Sequence, residues 1–163
     1  MTKILAVDPG LRFCGVAVGE EGRLIACALV ESPQKTGRGG VVWGAMARSV
    51  KAWADTYGEF DRVRCETPMQ YMPGNTAGKR IDPDDLMQIQ GVVGALCAFY
   101  TVETIYPYQW KGQLPKLVGY NRVISKLDDT EKSLLNGAKC AESKRHNIGD
   151  AVGIFLNAVG RFK

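Results

Sequence analysis

Residues 4–30, ILAVDPGLRFCGVAVGEEGRLIACALV, decide the fold. Ile4 to Val7 is an apolar run stopped by Pro9 and Gly10. Cys14 to Val18 and Leu24 to Val30 are two more runs of strand character, each set off by a turn containing glycine. The pattern predicts three consecutive strands folded back on one another as an antiparallel meander. Asp8 is the one charge in the first two runs, and it falls where the first strand ends, so its carboxylate belongs to the rim of the sheet. Taken singly, a rim acid is a turn former or a helix cap. A chemical role requires other acids, distant in sequence, to arrive at the same rim.

With 163 residues, 45% hydrophobic and 23% charged, the chain fits one globular domain over residues 1–163 with a core of its own. No linker, repeat or low-complexity tract divides it. The opening MTKILAVDPG is too short in apolar residues for a secretory segment or a membrane span, so the expectation is a soluble, cytoplasmic protein with no membrane partner. Cysteines 14, 27, 65, 97 and 140 contain no CxxC pair, and a single histidine does not complete a zinc site. They read as apolar fillers in a reducing compartment. Residues 1–109 carry 11 basic and 12 acidic side chains and residues 110–163 carry 10 and 5, so the surplus of positive charge lies in the last third. A solvated surface accounts for that surplus as well as a nucleic-acid partner does.

Beyond the meander, Val42, Trp43, Met46, Val50, Trp53 and Tyr57 recur at helical spacing, with Gly58 as the stop. Phe60 to Cys65 reads as a fourth strand, and Glu66 arrives where Pro68 ends it. A second acid therefore stands at a strand end. Residues 67–81 mix Gly, Pro, Met and Tyr with Lys79 and Arg80. This is a loop whose Met69, Tyr71 and Met72 either stack on bases or fold back on the core. Asp82, Pro83, Asp84 and Asp85 open a helix reaching Tyr100. It has one stripe of Leu86, Ile89, Val93, Leu96 and Tyr100 and a second of Met87, Gly91, Gly94 and Ala98. Two apolar sides require two partners, either the sheet and a symmetry mate or two parts of the same domain. Val102 to Tyr106 is a fifth strand, and Tyr108 to Lys116 is a turn-rich segment joining aromatic and basic residues. A helix is expected over residues 121–135, and a last one from about His146 to Val159.

That last helix carries Asp150, with His146 four and Asn147 three residues before it, on the same side of a helix. If the first and fourth strands are parallel neighbours, Asp8, Glu66 and Asp150 meet, and such a cluster repels itself without cations. Oxygen ligands select hard ions, Mg²⁺ or Mn²⁺. Two of them, roughly 3.5 to 4 Å apart, activate water and stabilise the leaving oxygen of a phosphoryl displacement.

In DPGLRFCGVAV, in CETP and in HNIGDAVGI the chain resembles the RuvC-type Holliday junction resolvases of the RNase H-like superfamily, in short bacteriophage or bacterial versions. The resemblance implies an α/β fold with a five-stranded mixed sheet, a three-strand antiparallel meander plus two parallel strands, flanked by helices. It implies a homodimer that nicks opposed strands of a four-way DNA junction with two Mg²⁺ ions per site, Mn²⁺ substituting, and no small-molecule cofactor. Asp8, Glu66 and Asp150 would be the metal ligands, and Leu86, Ile89, Val93 and Leu96 the dimer seam. Met69, Tyr71, Lys79, Arg80, Lys111, Lys116, Lys144 and Arg145 would hold nucleic acid. The cell would be bacterial or phage-infected.

The family has an acid or a histidine three residues before its last acid, and this chain has Asn147 there with His146 beside it. Either Asn147 ligates through its carbonyl oxygen, or His146, whose unperturbed pKa is roughly 6.5, ligates or moves the proton as a catalytic group. Asp8, Gly10 and Gly15 also satisfy the D-x-G-x-x-x-x-G pattern of actin-like and sugar-kinase ATPases, although those proteins resemble two such cores and this chain holds one. A nuclease acting on RNA or other branched DNA, and a non-catalytic binding module, are the remaining alternatives.

Overall fold

The computed structural model describes residues 2–69, 82–112 and 114–162. Strands β1 (Lys3–Asp8), β2 (Phe13–Glu20) and β3 (Arg23–Glu31) form the antiparallel meander. β4 (Arg62–Glu66) and β5 (Val102–Ile105) extend it in parallel, in the order β3-β2-β1-β4-β5. Both parallel crossovers are long enough to carry helices, as a parallel connection demands. No described helix is long and apolar enough to cross a membrane.

The period-2 alternation of the strands sends side chains to two separate cores. Leu5, Val7, Val16, Val18, Val63 and Cys65 face helices α1 (Gly40–Ala54) and α2 (Pro83–Leu96). Ile4, Ala6, Ala17 and Ile105 face the other way, onto α6 (Arg145–Ala158). Short α3 (Pro107–Trp110), α4 (Lys116–Ser125) and α5 (Asp129–Gly137) complete that second layer. On α6, Ile148, Ala151, Val152, Ile154, Phe155 and Leu156 are completely buried. Each large apolar side chain among them contributes about 1.5–3 kcal/mol toward fixing the helix against the sheet.

The structure corrects three expectations. The helix from Pro83 ends at Leu96, where Phe99 and Tyr100 turn back to donate to its carbonyl oxygen. The single helix expected over residues 121–135 is two, α4 and α5. Asp128 accepts from Glu131 N at 2.9 Å and Glu131 Oε2 accepts from Asp128 N at 3.0 Å, a reciprocal cap that starts a new helix inside the apolar pattern. Third, Val93 and Leu96 are not on an outer seam: both are buried in this chain's own core against α1. Leu86 and Ile89 are half-buried, and the outward side of α2 carries Met87, Gln90 and Gly94.

Candidate active site

Parallel pairing of β1 and β4 aligns Val7 with Cys65, so the next residues, Asp8 and Glu66, end neighbouring strands. Adjacent strands lie about 4.8 Å apart. Asp8 continues the face of Ile4 and Ala6, and Glu66 that of Arg62 and Arg64, so both acids project from the α6 side of the sheet.

Helix α6 comes to them because β2 carries glycine beneath it. Gly15, paired with Asp8 across β1 and β2, lies so close to the start of α6 that a Cβ there would overlap the carbonyl oxygen of Asn147. Four residues along, a Cβ at Gly19 would overlap the ring of Phe155. These two contacts set the helix down beside the rim, and Asp150 follows Asn147 by about one turn.

The acids are joined by a residue from β5's side. Lys111 Nζ lies 3.2 Å from Glu66 Oε2 and 3.0 Å from Asp150 Oδ2. The indole N–H of Trp110 donates to the same Glu66 oxygen at 2.8 Å. Side-chain exposures of 13% for Glu66, 22% for Lys111 and 26% for Asp150 set these pairs apart from fully solvated ones. Burial pushes the Glu66 carboxyl above the usual range, partly offset by Lys111 and the indole hydrogen bond, and Asp150 pushes it further up. Burial pulls Lys111 down, but the charges of Glu66, Asp150 and Asp8 outweigh it, and its ammonium is held above the ordinary value. Lys111 thus bridges Glu66 and Asp150, and the charge of Asp8 adds to the negative field it faces. Cys14, at the start of β2, is fully buried with its thiol pushed up to about 12 by burial. It exchanges hydrogen bonds with Gly10, donating to O at 3.3 Å and accepting from N at 3.2 Å.

Among the described residues no three His, Cys, Asp or Glu side chains stand gathered as a finished metal cage. What the site offers is hard carboxylate oxygens, half withdrawn from water, already sharing positive charge between them. That donor set fits Mg²⁺ or Mn²⁺ and offers no thiolate or paired imidazoles to a softer ion.

Among the other expected site residues that the structure describes, Lys144, Arg145 and His146 gather at the start of α6 and Met69 follows β4. His146 is half-buried and lines a cleft of about 240 Å³ with Leu117, Tyr120 and Arg145. Arg145 is engaged by Glu142 Oε2 at 3.1 Å and by the carbonyl oxygen of Leu135 at 3.2 Å, tying α5 to α6. Lys144 lies over the Phe13 ring, 4.8 Å from its centroid. Met69 is half-buried; Tyr71, Lys79, Arg80 and the side chain of Lys116 lie outside the described residues. Trp110 was not anticipated, and Lys111 was expected as a phosphate contact. Their signal was topological: β5 pairs in parallel with β4, so whatever follows Ile105 emerges beside Glu66.

A mixed five-stranded sheet with a meander, two parallel strands and helices on both faces is the RNase H-like fold. Among solved structures, Thermus thermophilus RuvC superposes with a TM-score of 0.59 at 18% identity over 99% of both chains. The same protein in complex with a Holliday junction substrate gives 0.57 at 14% identity, over 100% of this chain and 99% of that one. The yeast mitochondrial Holliday junction resolvase gives 0.63 at 10% identity, over 98% of this chain and 80% of that one. At these identities the likeness is one of fold. No protein-family model and no curated protein matches the sequence.

Proposed function

We propose that the protein is a metal-dependent endonuclease that resolves four-way DNA junctions by hydrolysing phosphodiester bonds. The observation carrying this reading is that Lys111 bridges Glu66 and Asp150 at the rim where Asp8 ends the strand beside Glu66. It is supported by full-length likeness in fold to resolvases, one of them solved on a junction.

In this reading Asp8, Glu66 and Asp150 would hold two Mg²⁺ ions, with Mn²⁺ able to substitute. Such ions would supply Lewis acidity for activating water and stabilising the departing oxygen. The chain's own residues position the reactants. β1 and β4 fix two carboxylates on rigid strands, α6 brings the third, and Trp110 restrains Glu66 through its hydrogen bond. His146, one turn ahead of Asp150, serves as the proton-transfer group, with Asn147 behind it as the weaker candidate. Lys111, Lys116, Lys144, Arg145, Met69, Tyr71, Lys79 and Arg80 would line the path of nucleic acid. Paired nicking requires two copies, and the outward side of α2 around Met87 is the surface for that homodimer.

The experiment is cleavage of a labelled four-way junction, a linear duplex and a structured RNA, each with Mg²⁺ and with EDTA. Junction cutting in two opposed strands, abolished by EDTA, is expected. Asp8→Asn should lower the rate by at least about a thousandfold while leaving junction binding intact. Normal cutting by that variant, or preference for the RNA, would overturn the assignment.

A further inference from the structure

Lys111 does not reach the acids from a loose loop. Its backbone N–H donates to the carbonyl oxygen of Pro107 at 2.9 Å, closing the α3 turn. The preceding Trp110 packs edge-on against Phe162 and closely over Gly153 of α6. The ammonium itself rests 4.7 Å from the centroid of the Trp110 ring, a second attraction holding it at this spot. The turn therefore delivers a positive charge to a fixed point between Glu66 and Asp150.

A divalent ion bound by the same oxygens sits about 2.0–2.1 Å from them if it is Mg²⁺. An ammonium bridging those oxygens and an ion bound to them would stand within a few ångströms of each other, where like charges repel strongly. Both cannot hold the position. We infer that Lys111 is a resident placeholder cation, which keeps Glu66 and Asp150 together in the metal-free protein and must be displaced for a divalent ion to bind. The inference rests on the nuclease reading and adds to it a built-in competitor that sets the metal concentration at which the site fills.

Competition of this kind lowers apparent affinity by the fraction of molecules in which the site is open. Removing the ammonium therefore tightens metal binding. The test is calorimetric titration of the metal-free protein with Mn²⁺, together with thermal unfolding in EDTA and in saturating Mn²⁺, for wild type, Lys111→Met and Lys111→Arg. Lys111→Met is expected to bind Mn²⁺ about tenfold tighter, to melt lower than wild type in EDTA, and to gain more from Mn²⁺ than wild type does. Lys111→Arg, which keeps the charge, should behave like wild type in both measurements. If Lys111→Met does not fold, Lys111→Gln carries the same expectations. Equal or weaker Mn²⁺ binding by the uncharged variant overturns the placeholder role while leaving the nuclease reading standing. Absence of Mn²⁺ binding in every form overturns both.

Discussion

The indole N–H of Trp110 donates to Oε2 of Glu66 at 2.8 Å, so a residue placed by the end of β5 orients the acid at the end of β4. Trp110→Phe removes that donor and keeps an aromatic ring against Phe162. The expected cost is about 1–2 kcal/mol in stability and about 10–100-fold in junction cleavage. Burial raises the Glu66 carboxyl and the indole is among the groups holding it down, so its loss moves the acid limb of the pH–rate profile to higher pH. Single-turnover cleavage across pH, with chemical denaturation alongside, measures both. An unmoved acid limb would show that the hydrogen bond does not act on the reacting carboxylate.

Gly15 and Gly19 both lie under α6, but only Gly15 lies under its site end. Alanine at either position should destabilise by about 1–3 kcal/mol through overpacking. Gly15→Ala also pushes Asn147, and with it Asp150, away from the rim, so its activity should fall far below what the folded fraction explains. Gly19→Ala presses on the Phe155 ring and should keep near-normal activity per folded molecule. Rates measured well below each melting point separate the two effects, and equal rates would show that the seat at Gly15 does not control the site.

Glu131 is 2% exposed and accepts from both terminal nitrogens of Arg161 and from the backbone N–H groups of Leu24 and Asp128. Burial alone would raise its carboxyl, but Arg161 and the two N–H donors outweigh it and hold it at about 2. Because the folded value lies below the unfolded one, the ionised form is the stabilising one. The contribution is present in full above the unfolded value and is lost as pH falls from about 4.5 toward 2. Glu131→Gln should therefore cost about 3 kcal/mol at pH 7. Urea unfolding of both forms should converge on acidification; a gap that stays constant would contradict this account.

On α2, the buried and outward sides predict opposite outcomes. Leu96→Ala leaves a cavity in the core and should cost about 2–5 kcal/mol. Met87→Asp changes a side chain that is 69% exposed and should leave monomer stability within about 0.5 kcal/mol while weakening the proposed homodimer. Sedimentation equilibrium together with denaturation distinguishes them. A dimer untouched by Met87→Asp would move the proposed seam elsewhere.

The meander, β4, β5 and the final helix were legible from the sequence because their apolar periods are clean and their ends fall at Pro and Gly. Asp8 and Glu66 were legible as strand-end acids for the same reason, and their adjacency followed once β1 and β4 paired in parallel. The stripe on α2 misled because periodicity shows that a face is apolar and not what covers it. Val93 and Leu96 meet α1 of the same chain, where Trp43 fits against Gly91. The break between α4 and α5 was hidden because Asp128 and Glu131 cap each other inside a continuing apolar pattern. Lys111 read as a phosphate contact, since its carboxylate partners lie 45 and 39 residues away in sequence and only the three-dimensional arrangement joins them.

The depth of Cys14 has a chemical corollary. A thiol held at about 12 keeps its proton throughout the physiological range, and Cys65, fully buried on the same side of the sheet, is raised as well. Neither offers an anionic sulfur to thiophilic poisons such as cadmium, nor a nucleophile to alkylating reagents. Cys27 and Cys140 are half-buried, so exposed Cys97, at the close of α2, is the natural attachment point for a fluorophore or spin label.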